Sequence, residues 1–131
     1  MFEAGLRAAL IEWLRSDPAL DGQLNAITEE APLRTAAPWL GIVASASSDW
    51  STKTVRGREI RVALELHLRG DATETGSTIV SAIEDRIESF PKLQPDFAVA
   101  STQFLRARAE KRANNLRAIL IEYRFRVLES S

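Results

Sequence analysis

The sequence predicts an α+β domain: an antiparallel β-sheet with two amphipathic α-helices packed on one face. Three observations carry that reading. Arg58–Arg69 and Leu116–Leu128 alternate apolar and polar residues, which is the period of a strand with one buried face. Phe2 to Arg15 and Ala72–Phe90 repeat apolar residues at helical spacing, as amphipathic helices do. The order along the chain is helix, long connection, strand, loop, strand, helix, strand, strand. Strands joined by hairpins and interrupted by one helix favour an antiparallel sheet, with the helices covering its apolar face.

Each element has its own signal. In the first helix Phe2, Leu6, Leu10 and Trp13 form the stripe, while Glu3, Arg7, Glu12 and Arg15 fall on the other side. Ser16-Asp17-Pro18 ends it, because Pro18 pushes Asp17 out of the helical region. Asp17–Pro38 holds three of the five prolines and reads as a long connection, with Leu20, Leu24 and Ile27 suited to one helical turn. Trp39–Ser45 is a short apolar strand. Ser45–Thr54 is polar except for Trp50 and lacks periodicity, so it reads as a loop. In Arg58–Arg69 the residues Ile60, Val62, Leu64, Leu66 and Leu68 face one way; His67 lies on the polar face. Gly70-Asp71 stops the strand. The second helix carries Ile79, Ile83, Ile87 and Phe90 in its stripe and ends at Pro91. Phe97–Arg108 is a strand whose register the pattern leaves open: Val99 and Leu105 share one parity and Phe104 has the other. The last strand is clearer, with Ile119, Ile121, Tyr123, Phe125 and Val127 on one side. Asn114-Asn115, inside Ala109–Asn115, tolerate turn geometry and imply a hairpin.

Composition narrows the function. The 131 residues suit one domain, 1–131. There is no cysteine and a single histidine, which excludes a disulfide framework, a thiol nucleophile, a Cys/His zinc site and an HExxH pair. A formal charge of −1 gives no general attraction to nucleic acid or anionic membranes. No apolar run approaches the ~18 residues of a membrane span, and Glu3, Arg7 and Glu12 break the N-terminal stretch where a secretory signal needs an unbroken core. A soluble, reducing compartment is expected. No phosphate-binding glycine motif or nucleophile elbow is present. His67 lies mid-strand, where nothing presents it as a base, and the carboxylates Glu84, Asp85 and Glu88 share one helix, which cannot converge on a hard metal ion. Catalytic, cofactor-binding and metal-binding residues are therefore expected to be none, and the chain is not expected to be an enzyme.

What remains is an uneven charge distribution. From 106 to 126 the cationic residues Arg106, Arg108, Lys111, Arg112, Arg117, Arg124 and Arg126 face only Glu110 and Glu122. The readings are a solvated hairpin, a contact with an acidic protein neighbour, or a small nucleic-acid-binding module that uses the hairpin, though no aromatic platform is interleaved with the arginines. Arg61, Glu65, Arg124 and Arg126 give the outer sheet face mixed charges able to stitch subunits together, and long strands leave an edge to be covered. Trp50 either tucks back onto the domain or docks on another subunit. The interface candidates are Trp50, Lys53, Arg56, Arg61, Glu65, Arg106, Arg108, Lys111, Arg112, Arg124 and Arg126.

The residues resemble the tail-completion, or tail-terminator, proteins of long-tailed phages and gene transfer agents. The resemblance covers nearly the whole chain. It rests on the N-terminal helix (FEAGLRAALIEWL), the segment Pro38-Trp39-Leu40-Gly41, the Asp49-Trp50 loop, the alternating strand from Gly57 to Leu68, the helix after it and the final paired strands. It departs at His67-Leu68-Arg69, where a more aromatic strand end is expected. The resemblance implies a structural virion protein: a homo-oligomeric, commonly hexameric ring on the tail tube that ends tube polymerisation and offers the head-joining surface. The implied partners are the major tail tube protein and the head–tail connector or stopper, with DNA passing through the ring without specific binding and no membrane involved. The implied place is the head-proximal end of the virion tail, assembled in the bacterial host cytoplasm. In a ring of this kind different patches of each subunit meet, which points to Ser45–Arg56 and Ala109–Asn115.

Overall fold

The computed structural model describes residues 2–30, 34–71 and 73–130. Its elements in chain order are α1 (Phe2–Arg15), α2 (Pro18–Asp21), β1 (Ile27–Thr28), β2 (Trp39–Asp49), β3 (Gly57–Arg69), α3 (Thr73–Glu88), β4 (Phe97–Arg112) and β5 (Leu116–Glu129). The strands form one sheet in the order β1-β2-β3-β5-β4. Three of the four pairings are antiparallel, but β1 runs parallel to β2. The sheet is therefore mixed, and a third, short helix accompanies the two expected ones.

Both features come from Asp17–Pro38, where one helical turn with Leu20, Leu24 and Ile27 was expected: α2 holds only Leu20 of the three, and Ile27 begins β1 instead. Pro18 sits in the first turn of α2, where its missing N–H costs nothing, and the Asp17 side chain caps the turn by accepting from the Ala19 N–H at 3.1 Å. Ile27 and Thr28 then pair with Leu40 and Gly41. Two residues are too few to show any period, so only a partner strand defines β1.

The core lies between the sheet and the helices. Leu6, Leu10 and Leu14 of α1 and Ile79, Ile83 and Ile87 of α3 are fully buried with Ile60, Val62, Leu64, Leu66, Ile121, Tyr123, Phe125 and Val127 of the central strands. Hydrophobic burial of this kind supplies most of the folding drive. A polar clasp joins the helices. Trp13 Nε1 donates to the Arg86 carbonyl at 2.7 Å, Arg86 Nε donates to the Trp13 carbonyl at 2.9 Å, and the guanidinium lies 3.4 Å from the centre of the indole ring.

Three element limits differ from the expected ones by two residues or more. First, β2 continues through Ser45–Ser48 to Asp49, replacing the start of the expected loop. Its helix-facing residues there are polar because the N-terminal turns of α1 above them are polar: Arg7 donates to Ser45 Oγ at 3.0 Å, and Ser47 donates to Glu3. Second, β4 runs to Arg112, and the hairpin turn shrinks to Ala113–Asn115, with Asn114 at φ 61° and Asn115 at φ 56°. Asparagine tolerates that left-handed region better than most residues. Third, α3 ends at Glu88; Ala72, the expected start of that helix, lies outside the described residues. The irregular pattern of β4 also has a cause. Register shifts lie between Val99 and Ser101 and between Phe104 and Arg106, and each bulge reverses the parity of the residues beyond it.

Candidate assembly surface

The face of the sheet turned away from the helices carries most of the charged residues singled out in the sequence. On β3 it presents Glu59, Arg61, Ala63, Glu65 and His67, opposite Arg126, Arg124, Glu122, Leu120 and Ala118 of β5. On β4 it continues with Gln103, Arg106, Arg108 and Glu110 opposite Arg124, Glu122, Leu120 and Ala118. Alternation alone puts these side chains on one face. The pairing of strands decides which charges meet.

They meet as opposites. Arg106 binds Glu122 at 2.9 Å, Arg126 binds Glu59 at 3.0 Å, and Arg124 approaches the same Glu59 at 3.8 Å while donating to Gln103. Arg112 reaches Glu110 at 2.6 Å and Glu65 at 3.3 Å, and Arg108 reaches Glu110 at 3.2 Å. The hydrogen bond from Arg112 holds the Glu110 carboxyl below the usual range, and Arg112 is raised in turn by that bond. Arg61 stands directly opposite Arg124 and takes part in no ion pair among the described residues, while Arg124 turns to Glu59. This is a mosaic of ion pairs rather than an open cationic stripe.

His67 belongs to the mosaic. Its ring stacks on Trp39, with centroids 3.9 Å apart and planes 8° apart, and its Nε2 lies 2.7 Å from Glu65 Oε1. The line Trp39–His67–Glu65–Arg112 therefore ties β2 to the hairpin across the outer face. The alternating pattern placed His67 on this face, but only the pairing of Trp39 with His67 reveals the stack.

The other candidates lie at the two ends of the sheet. Trp50 follows β2; its N–H donates to the Gly57 carbonyl at 3.0 Å, and the Arg126 guanidinium sits 5.5 Å from its ring centre. It is half-buried against its own chain. Lys53 and Arg56 are exposed in the same turn. Lys111 lies at the opposite end, paired in register with Arg117 near the hairpin tip. The structure thus gathers Arg61, Glu65, Arg106, Arg108, Arg112, Arg124 and Arg126 on one face, and sets Trp50, Lys53 and Arg56 apart from Lys111. Sequence reasoning missed Glu59 as the carboxylate that serves two arginines. Its parity with Arg61 was a usable signal; its partners were not, because they lie on another strand. Among the described residues, no group of three or more His, Cys, Asp or Glu side chains is arranged to hold a metal ion.

A surface built from paired charges on a rigid sheet is suited to protein contacts, which it orients by electrostatic complementarity. Comparison with known proteins bears on the fold and the family. The fold matches a chain of a gene transfer agent particle, solved as "Virion of native gene transfer agent (GTA) particle", with a TM-score of 0.79 and 25% sequence identity, over 97% of each chain. Among curated proteins none matches by sequence. Residues 8–128 match the family described as "Tail completion protein gp17". The chain belongs to that tail-completion family, a family of structural virion proteins.

Proposed function

We propose that the protein is the subunit of a ring that caps the tail tube at its head-proximal end, stops tube polymerisation and presents the surface to which the head joins. The observation that carries this reading is the near-complete match, in both chains, to a component of an assembled virion particle. The family membership supports the tail as its place. In this reading the ring is a homo-oligomer, commonly of six copies, its neighbours are the tail tube protein and the head–tail connector, and assembly takes place in the bacterial cytoplasm. A head-to-tail ring needs two different patches per subunit, and a sheet with two unlike edges supplies them. The face of paired charges supports passage of DNA without specific binding, because Arg106, Arg112 and Arg126 each already hold a carboxylate.

Deleting the gene and imaging the particles tests the proposal. Tails of abnormal length that remain unjoined to heads are expected. Normal-length tails joined to heads in its absence would overturn it. Steeply salt-dependent DNA binding by the purified chain, abolished when Arg106 and Arg108 are replaced by alanine, would instead favour a nucleic-acid module built on the hairpin.

A further inference from the structure

β4 is the last strand of the sheet, and its open edge has defined limits. At its start the preceding segment covers it. Leu93 bridges Ala98, the Val99 N–H donates to the Lys92 carbonyl at 2.7 Å, and the Gln94 N–H donates to the Phe97 carbonyl at 3.0 Å. From Ser101 to Arg112 no strand lies beyond β4 among the described residues. A row of unpaired backbone N–H and C=O groups is a template for one more strand.

The helix-facing side of that edge is polarised. Phe104, Ala107, Ala109 and Lys111 share this side, since they stand in register with Tyr123, Ile121, Ile119 and Arg117, with the bulge at Leu105 between the first two. The Phe104 end is negative. Phe104 is 42% exposed and packs edge-on against Tyr123, with centroids 5.6 Å apart. The Tyr123 hydroxyl reaches Glu88 of α3, and Glu84 lies one turn earlier. Burial, then the charges of Glu88 and Asp85, raise the pKa of the Glu84 carboxyl. The other end is positive, with Lys111 beside Arg117. Among the described residues Glu84, Glu88, Lys111 and Arg117 take part in no ion pair. Between the two ends Ala107 and Ala109 floor an apolar groove of about 320 Å³ with Val80 and Ile119.

A two-fold axis through Arg108 exchanges these ends. Two β4 strands then run antiparallel, and each residue faces the one equally far on the other side of Arg108. On the outer face Arg106 falls opposite Glu110 of the second copy. On the helix-facing side Ala107 falls opposite Ala109 and, once the Leu105 bulge is counted, Phe104 falls opposite Lys111. The stem of Lys111 lies along the Phe104 ring and its ammonium turns to Glu84 and Glu88. The one like-charge pair is Arg108 with its own copy on the axis, where Glu110 already holds each guanidinium at 3.2 Å. The hairpin turn of each copy ends near Thr102 of the other, short of the segment 92–94 that covers the start of β4.

We propose that the free chain pairs with a second copy of itself through the Ser101–Arg112 edge of β4, the two strands antiparallel about Arg108 and Lys111 of each copy set against Glu84 and Glu88 of the other. The contact is isologous, so it closes at two copies. It covers the long edge of the free chain, and it is distinct from the head-to-tail contacts of the ring reading above.

Single cysteines in the full chain test the register. There is no native cysteine, so one introduced thiol can bridge only two copies. In Arg108→Cys the two thiols sit directly opposite each other, with Cβ atoms about 5 Å apart, within reach of a disulfide. In Arg106→Cys they are four residues out of step, about 13 Å along the strands and beyond the ~7 Å limit. Sedimentation equilibrium of the parent chain is expected to show a two-copy species. Mild oxidation is expected to convert Arg108→Cys into a covalent pair and to leave Arg106→Cys unlinked. Charge reversal is the second arm: Lys111→Glu is expected to weaken the pairing about tenfold, and adding Glu84→Lys to recover most of it. A parent that sediments as a monomer at every concentration overturns the proposal, as does Arg106→Cys linking as readily as Arg108→Cys, or Lys111→Glu without effect. Larger rings in which Arg108→Cys stays unlinked overturn the pair and leave the ring reading standing.

Discussion

Alternate residues of β3 and β5 live in two environments. Val62, Leu64, Tyr123 and Phe125 are fully buried beneath the helices. Arg61, Glu65, Arg124 and Arg126 belong to the same strands, one residue away, and lie among paired charges at the surface. The buried face pays for the ordering of the chain. On the outer face each ion pair is screened by water and contributes little, of the order of 0–1 kcal/mol. Evolution can therefore change the outer face with small cost to folding, which is the freedom a contact surface needs. The buried face has no such freedom, because its side chains interlock.

The largest effects should come from breaking the buried face. Phe125→Ala removes a ring that packs edge-on against Phe90, with centroids 6.0 Å apart, and touches Tyr123. A loss of about 3–5 kcal/mol is expected in urea unfolding; a loss of under ~1 kcal/mol would mean that the core is far more plastic than its burial implies.

Gly57→Ala comes next. A Cβ there would lie 2.9 Å from both Leu128 Cδ2 and the Val127 carbonyl oxygen and would also press on the Trp50 carbonyl. Backbone atoms cannot step aside, so about 1–3 kcal/mol should be lost. An unchanged melting temperature would contradict the tight approach of the β2–β3 turn to β5.

Tyr123 ties the buried face to a helix, since its buried ring ends in a hydroxyl that donates to Glu88 of α3 at 2.8 Å. Tyr123→Phe should cost about 0.5–1.5 kcal/mol at neutral pH. Burial, then the hydrogen bond and charge of Glu88, push the phenol well above its ordinary value of 10.0. The unfolded chain therefore loses this proton first as pH rises, and stability should fall above pH ~10. In Tyr123→Phe that part of the alkaline decline should disappear; an identical alkaline profile would refute the assignment.

The smallest effects belong to the outer face. Arg106→Ala, which frees Glu122, should change stability by less than about 1 kcal/mol. Glu110 has the opposite pH sign to Tyr123. Its folded-state value is lowered by Arg112, so its contribution is present above the ordinary carboxylate range and fades as pH falls through the folded value. Glu110→Gln should flatten the acid limb of the stability profile slightly. A large effect from either change would show that the outer face helps to hold the fold.

Legibility in the sequence followed how local each element's cause is. In β3 the alternation from Ile60 to Leu68 is unbroken, so its face and nearly its limits could be read directly. Asn114 and Asn115 marked a turn for an equally local reason. Phe104 and Leu105 misled because a bulge lies beside them, and a bulge is defined by the partner strand. Ser45–Asp49 looked like a loop because its polar residues answer Glu3, Arg7 and Arg58, which are remote in sequence. The charged candidates were legible as an excess of arginine near the C-terminus. Their neutralisation by Glu59, Glu65 and Glu122 was not, since the pairs span strands.

The sequence by itself determined which residues are buried on the central strands, where the two long helices lie, and that thiol chemistry is absent. Those properties depend on periodicity and composition, which covalent geometry fixes within a few residues. Only the tertiary structure decided that the sheet is mixed, that its edges are β4 on one side and β1 with β2 on the other, and that Arg106, Arg108, Arg112, Arg124 and Arg126 meet carboxylates. Strand order and register are set by hydrogen bonds between segments tens of residues apart, and no local pattern encodes which segment a strand will meet. The exposed edges, and with them the surfaces open to another subunit, follow from that non-local choice.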